Sequence, residues 1–112
     1  MNLYFRFLQI SRALSEQKSA ANNIDPTAML LLNEVALRHV DGKTMTVTDA
    51  MLLVHIASPA TIHRKLNELR EAGLIDQVFE GTNRRTKFLV PSKTANAYFD
   101  MMSQAISNAV ST

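Results

Sequence analysis

Between Ser58 and Val90 the apolar residues change period, from the three-to-four spacing of a helix to the alternation of strands, with a glycine at the boundary. No other feature constrains the fold of this chain as strongly. The stretch "SPATIHRKLNELREAGLI" opens on Ser58, a natural N-cap, and Pro59, whose fixed φ and missing N–H suit the first helical position. Gly73 stops the helix because it tolerates the positive φ of a C-terminal cap. "LIDQVF" and "TKFLV" follow as alternating or β-branched runs of strand length, joined by the polar connection "EGTNRR" at 80–85. The reading is a helix over 59–72 that runs directly into a β-hairpin.

The elements around this unit are legible by the same rules. Near the start, Leu3, Phe7, Ile10 and Leu14 form one helical stripe, which Tyr4, Phe5 and Leu8 widen beyond what a single small core needs. A second helix starts at Asp25 as N-cap with Pro26 in the first position, and "DG" at 41–42 ends it. "MTV" at 45–47 reads as a short strand. Thr48 reads as the cap of "DAMLLVHI", a helix of about two turns, with "AS" at 57–58 as the turn into the next helix. Pro91 stops the second hairpin strand. Ser92 caps a last helix lined by Tyr98, Met101, Met102, Ala105, Ile106 and Val110.

The order is helix, helix, short strand, helix, helix, strand, hairpin loop, strand, helix. A helix-turn-helix followed directly by a hairpin is a winged helix, so the predicted fold class is mainly α with a small β-hairpin. At 112 residues one domain over 1–112 is expected: an N-terminal helical region 1–22, a winged-helix core 26–91 and a C-terminal helix 92–112. The surplus apolar surface on the first and last helices predicts a dimer through Leu3, Phe7, Ile10, Tyr98, Met101, Met102 and Ile106. Wrapping of the chain's own core is the alternative use for that surface.

At about 100° per residue the helix after Ser58 separates two faces. Ile62, Leu66 and Leu69 share the core side. Ala60, Arg64, Asn67 and Glu71 lie opposite, flanked by Thr61, His63 and Glu68. Small residues at the N-terminal half permit close approach to a duplex, and Ser58, Thr61 and the first N–H groups suit phosphate. Arg64 suits a bidentate contact to guanine and Asn67 one to adenine. His63 suits phosphate or water. On an isolated helix these residues would read as an ordinary solvent face. Across the hairpin, Arg84 and Arg85 sit at or just past the turn at 80–86, suited to a minor groove, with Lys87 suited to the backbone. A charged hairpin tip that blocks edge pairing is the plainer use of such residues.

Charge distribution agrees. Residues 58–93 carry seven Lys/Arg against four Asp/Glu, whereas residues 1–57 balance five against five. By charge alone a solvated basic face is the simpler reading and a polyanion footprint the sharper one.

With these residues placed, the chain resembles the MarR-type winged helix-turn-helix transcriptional regulators. The resemblance is carried by "SPATIHRKLNELREAGLI", then "NRR", then "FLVPSKTANAYF", and is clear over about 45–95. It implies a homodimer joined by the N- and C-terminal helices, bound to a pseudo-palindromic operator on double-stranded DNA and usually repressing transcription. It implies a major-groove set of Ser58, Pro59, Ala60, Thr61, His63, Arg64 and Asn67, and a wing of Asn83, Arg84, Arg85 and Lys87. In that wing one arginine enters the minor groove while an acid braces the other. Asn83 stands where the family commonly has aspartate. The turn "HIAS" lacks the expected glycine and is a residue longer. The chain is short beside the family, which reduces its dimerisation helices.

Other classes find less support in the sequence. His39, His55 and His63 fall on different predicted elements, and no triad, paired-carboxylate or phosphate-cradling motif can be located, so no enzyme, metal or cofactor is expected. The absence of cysteine excludes disulfide and thiolate chemistry and fits the cytoplasm. Arg6 interrupts the apolar start, which predicts neither a signal peptide nor a membrane span. Met-rich positions could line a pocket for a small-molecule effector, though such positions are more often plain core. The serious competitor is a winged helix used as a protein-interaction adaptor, with "AMLLV" docking a partner.

Overall fold

A computed structural model describes residues 2–16 and 20–111. Among the described residues there are five α-helices and a two-stranded antiparallel sheet: α1 (Leu3–Ser15), α2 (Pro26–Val40), α3 (Val47–Met51), α4 (Pro59–Glu71), β1 (Ile75–Glu80), β2 (Asn83–Pro91) and α5 (Lys93–Val110). A short 3-10 turn at Ala20–Asn23 precedes α2. This is a mainly helical domain with one hairpin, and its architecture is compatible with a winged-helix-type fold. Parts of the N-terminal region expected at 1–22, Met1 and residues 17–19, lie outside the described residues.

The core forms where the periodicity put it. Leu31, Leu32 and Val35 of α2 meet Ile62, Leu66 and Leu69 of α4, and Met45, Leu74 and Leu89 close the cluster. Asp25 caps α2, its Oδ1 accepting from the Ala28 N–H at 2.8 Å. Gly73, at φ 73°, lets the chain leave α4 and enter β1 within two residues, and the Leu74 N–H returns to the Leu69 carbonyl at 2.9 Å. Ser92 is the buried polar residue of the core. Its Oγ donates to the Gly73 carbonyl at 2.6 Å and accepts from the Ala95 N–H at 3.0 Å, joining the end of α4 to the start of α5.

Three local expectations are corrected. The cap of α3 is Thr46, not Thr48, so the helix starts earlier and is shorter than expected. Thr46 and Asp49 satisfy each other's backbone N–H groups at 3.1 and 3.0 Å. This capping box needs an acid or amide three residues after the cap, and Thr48 has Met51 there. The strand expected at 45–47 reduces to one bridge, Thr46 to Phe88, because α3 claims Val47. The hairpin connection is a tight turn at Gly81–Thr82 rather than six residues, and Asn83, Arg84 and Arg85 belong to β2. Gly81 supplies the positive φ (56°) that so short a turn requires.

Early termination of α3 leaves a long connection to α4, from Leu52 to Ser58. It folds on the Leu53 carbonyl, which accepts from Ile56 N–H at 2.9 Å. Among the described residues positive φ occurs only at Gly42, Gly73 and Gly81. No residue from Leu52 to Ser58 has positive φ, so this connection needs no glycine in "HIAS".

Outside the core, α1 and α5 pack on each other with little between them. Ala105 and Ala109 are buried on α5, and α1 has no buried residue at all. Arg6 Nη2 donates to the Ser111 carbonyl at 3.2 Å, tying the start of α1 to the end of α5. Leu3, Tyr4, Phe5, Ile106 and Val110 remain more than half exposed. The radius of gyration is 15.4 Å, where a compact chain of this length has about 13 Å. The helical pair stands out from the rest, with apolar surface left open.

Candidate nucleic-acid interface

The outward face of α4 is built from its cap upward. Ser58 Oγ accepts from the Thr61 N–H at 3.3 Å and donates to Thr61 Oγ1 at 3.0 Å. Pro59 has no N–H and the Ile62 N–H reaches the Ser58 carbonyl at 2.9 Å. The Ala60 N–H is left outward, at the positive end of the helix dipole. Ser58, Pro59, Ala60, His63, Arg64 and Asn67 are exposed and Thr61 is half-buried, while Ile62, Leu66 and Leu69 are buried. The predicted residues of this helix thus lie together on one accessible face.

Lys65 was given no role by sequence reasoning, yet it ties α4 to the start of α2. Its ammonium pairs with Asp25 at the cap of α2 and with Glu68 at 3.1 Å. The pair spans forty positions, so no local pattern reveals it. It also redirects charge: Glu68 is half-buried and committed to Lys65, leaving Glu71 as the acid on the outer face of α4.

The hydrogen bond from Lys65 holds the Asp25 carboxyl below its ordinary range, helped by the Ala28 N–H. Asp25, followed by Glu68, holds the Lys65 ammonium above its own. A lowered carboxyl pKa contributes stability that is full above the unfolded carboxylate range and is lost as pH falls through the folded value. The raised lysine contributes in full below the ordinary lysine range and loses it as pH rises through the folded value. Asp25→Asn retains the capping oxygen and removes the charge. It is expected to be less stable than wild type at neutral pH and equal to it in strong acid, where Asp25 is protonated in both folded and unfolded chains. Denaturant melts at the two pH values check this, and equal stability of variant and wild type at neutral pH would assign Asp25 a capping role only.

The hairpin lies beside α4. Asn67, Arg70 and Glu71 face Ile75, Asp76, Gln77, Phe79 and Lys87 across an open cleft of about 630 Å³. Its lining is balanced in charge, Arg70 and Lys87 against Glu71 and Asp76. The hairpin strands pair regularly from Ile75–Pro91 to Val78–Phe88, then resume at Glu80–Asn83. Phe79 of β1 therefore faces Arg84, Arg85, Thr86 and Lys87 of β2, and the basic run forms a bulge. Bulges bend a strand and re-aim its side chains. All three cations of this run are exposed.

Within the bulge the two arginines are held differently. The Arg84 guanidinium lies over the Phe79 ring, 5.5 Å from its centroid. Asn83 Oδ1 accepts from the Arg85 backbone N–H at 2.9 Å, and its amide donates to Thr86 Oγ1 at 3.3 Å. Asn83 thus shapes the turn. The Arg85 guanidinium makes no hydrogen bond or ion pair among the described residues, and with Thr86 and Lys87 it borders a second groove against Thr46, Val47 and Thr48. Phe79, Thr46 and Thr48 border the basic run, a place that sequence reasoning missed. Their proximity to the basic run depends on strand register, which one-dimensional patterns do not show.

The predicted apolar residues of the outer helices divide into two groups. Leu3, Phe7 and Ile106 border an apolar groove with Tyr4, Ala109 and Val110. Tyr98, Met101 and Met102 are half-buried against Ser11, Leu14 and Ser15, and Ile10 is half-buried on α1. Among the described residues no group of three His, Asp or Glu side chains could hold a metal ion, and no helix is long and apolar enough to cross a membrane. No protein-family model matches the chain and no curated protein matches it.

Proposed function

We propose that the protein is a sequence-specific double-stranded DNA-binding regulator of transcription that acts as a homodimer. One observation carries the reading: the exposed face of α4 (Ser58, Ala60, Arg64, Asn67) stands beside an exposed basic bulge (Arg84, Arg85, Lys87), with Asn67 and Lys87 bordering one cleft. A helix of this kind enters a major groove by its N-terminal half, where the small residues lie. Arg64 and Asn67 then meet base edges, while Ser58, Thr61, His63 and the Ala60 N–H meet phosphate. The hairpin acts as the wing: an arginine takes the adjacent minor groove and Lys87 the backbone. Glu71, at the far end of α4, faces away from the duplex once the helix axis leaves the groove.

The apolar faces of α1 and α5 form the two-fold interface in this reading. A helix with no buried residue and several half-exposed aromatic and aliphatic side chains gains most of its stability from a partner. An isologous dimer turns one α4 into two, related by a two-fold axis and spaced about 34–36 Å apart on one side of the duplex. Occupancy of a promoter by such a dimer excludes polymerase, so repression is the expected outcome. The reading treats the chain as a single domain and needs no cofactor, metal or bond-making chemistry. It places the protein with DNA in the cytoplasm. A small-molecule effector is not required by it.

Selection from random duplexes tests the proposal. The expected result is enrichment of an inverted repeat whose half-sites lie about one helical turn apart; recovery of no preferred sequence would overturn it. A second reading, a protein-interaction adaptor, draws on Leu52 and Val54, 72% and 71% exposed in the turn between α3 and α4. That turn is the part of "AMLLV" and its neighbourhood that the core leaves outside. An adaptor would give no enrichment.

A further inference from the structure

Phe79 is a large apolar side chain, 38% exposed, at the end of the hairpin away from the core cluster. Core packing does not explain it, and neither does the sheet, since it faces the four residues of a bulge rather than a cross-strand partner. Its contact is the Arg84 guanidinium, 5.5 Å from the ring centroid. We propose that Phe79 is a positioning residue for DNA binding: its ring, which borders the cleft between α4 and the hairpin, holds Arg84 ready for a backbone phosphate. This rests on the DNA-binding reading above and adds to it the device that orders the wing.

An arginine on an exposed bulge samples many rotamers, and ordering it on binding is unfavourable by a substantial part of its side-chain entropy. Stacking on an aromatic face restricts those rotamers before DNA arrives, and leaves the guanidinium edge free to donate to phosphate oxygens. Phe79 also borders the cleft with Asn67 and Lys87, so the ring that carries Arg84 lies between the helix and the wing. In the DNA-binding reading the phosphates between a major and a minor groove pass beside it. Asn83, whose amide is spent on Arg85 N–H and Thr86 Oγ1, does not brace a guanidinium; the ring takes that task.

Fluorescence anisotropy on the selected duplex and on a random duplex tests this with Phe79→Leu, Phe79→Tyr and Arg84→Met. Phe79→Leu keeps the apolar volume and removes the π face. It should weaken both duplexes equally, by about two- to fivefold. Phe79→Tyr should restore wild-type affinity, and Phe79→Leu should add nothing once Arg84 is Met. Arg84→Met should also lower the dependence of log affinity on log salt by about one unit. Arg85→Ala serves as contrast, since it should alter preference for A·T-rich flanks, which Phe79→Leu should not. An unchanged affinity for Phe79→Leu, the same loss in the Arg84→Met background, or failure of Tyr to restore binding would overturn the proposal. Proton NMR of the free protein separates this from the parent reading: upfield-shifted Arg84 side-chain protons should be present in wild type and Phe79→Tyr and lost in Phe79→Leu. A wild type that keeps that shift but binds no duplex overturns the DNA-binding role while leaving the stacking contact established. Loss of the shift in wild type alongside DNA binding overturns the Phe79 brace alone.

Discussion

Ile106→Glu is expected to convert the protein from a dimer into a folded monomer and to weaken operator binding by about 10²–10⁴-fold. Ile106 is 53% exposed in the single chain, so a polar replacement costs the monomer little. In a two-fold interface the change occurs twice, and it buries a carboxylate in an apolar patch with no partner. The groove it borders is lined by Leu3, Tyr4, Phe7, Ala109 and Val110, none of which offers a counter-charge. A monomer still reads one half-site, but it loses the effective concentration that makes the second contact intramolecular. Sedimentation velocity reads the mass and anisotropy reads the affinity. A variant that stays dimeric with its affinity intact would remove α1 and α5 from the interface.

Arg64→Ala is expected to cost about 1–3 kcal/mol on the selected operator, roughly ten- to hundredfold, and to relax preference at one base position. Arg64 is exposed at the centre of the outer face of α4 and makes no hydrogen bond or ion pair among the described residues. Alanine is the better helix former, so the thermal midpoint should hold or rise slightly. Binding and stability thus separate cleanly for this residue, which they would not for Leu66 or Leu69 on the same helix. Equal losses on operator and random DNA would move Arg64 from base edges to phosphate.

The parts of the fold that were legible in the sequence are those decided within a few residues. Ser58, Pro59 and Gly73 bound α4, and the spacing of Ile62, Leu66 and Leu69 chose its buried side. Asp25 with Pro26 and Ser92 before α5 were readable for the same reason. The cap of α3 was misplaced because Thr46 and Thr48 are equivalent as single residues and differ only in what stands three positions later. The hairpin was legible as a hairpin but not in its register, since the turn at Gly81–Thr82 and the bulge opposite Phe79 together decide which residues meet. Contacts made across long separations, Lys65 with Asp25 and Phe79 with Arg84, left no periodic trace.

The central claim, that this surface binds DNA, is tested most directly by titrating purified protein into the selected duplex at low and at near-physiological salt. Several lysine and arginine contacts to phosphate release counterions, so affinity should fall steeply, with log affinity linear in log salt concentration and a slope of several units. No binding at low salt, or binding indifferent to salt, would contradict the account and favour an apolar protein partner.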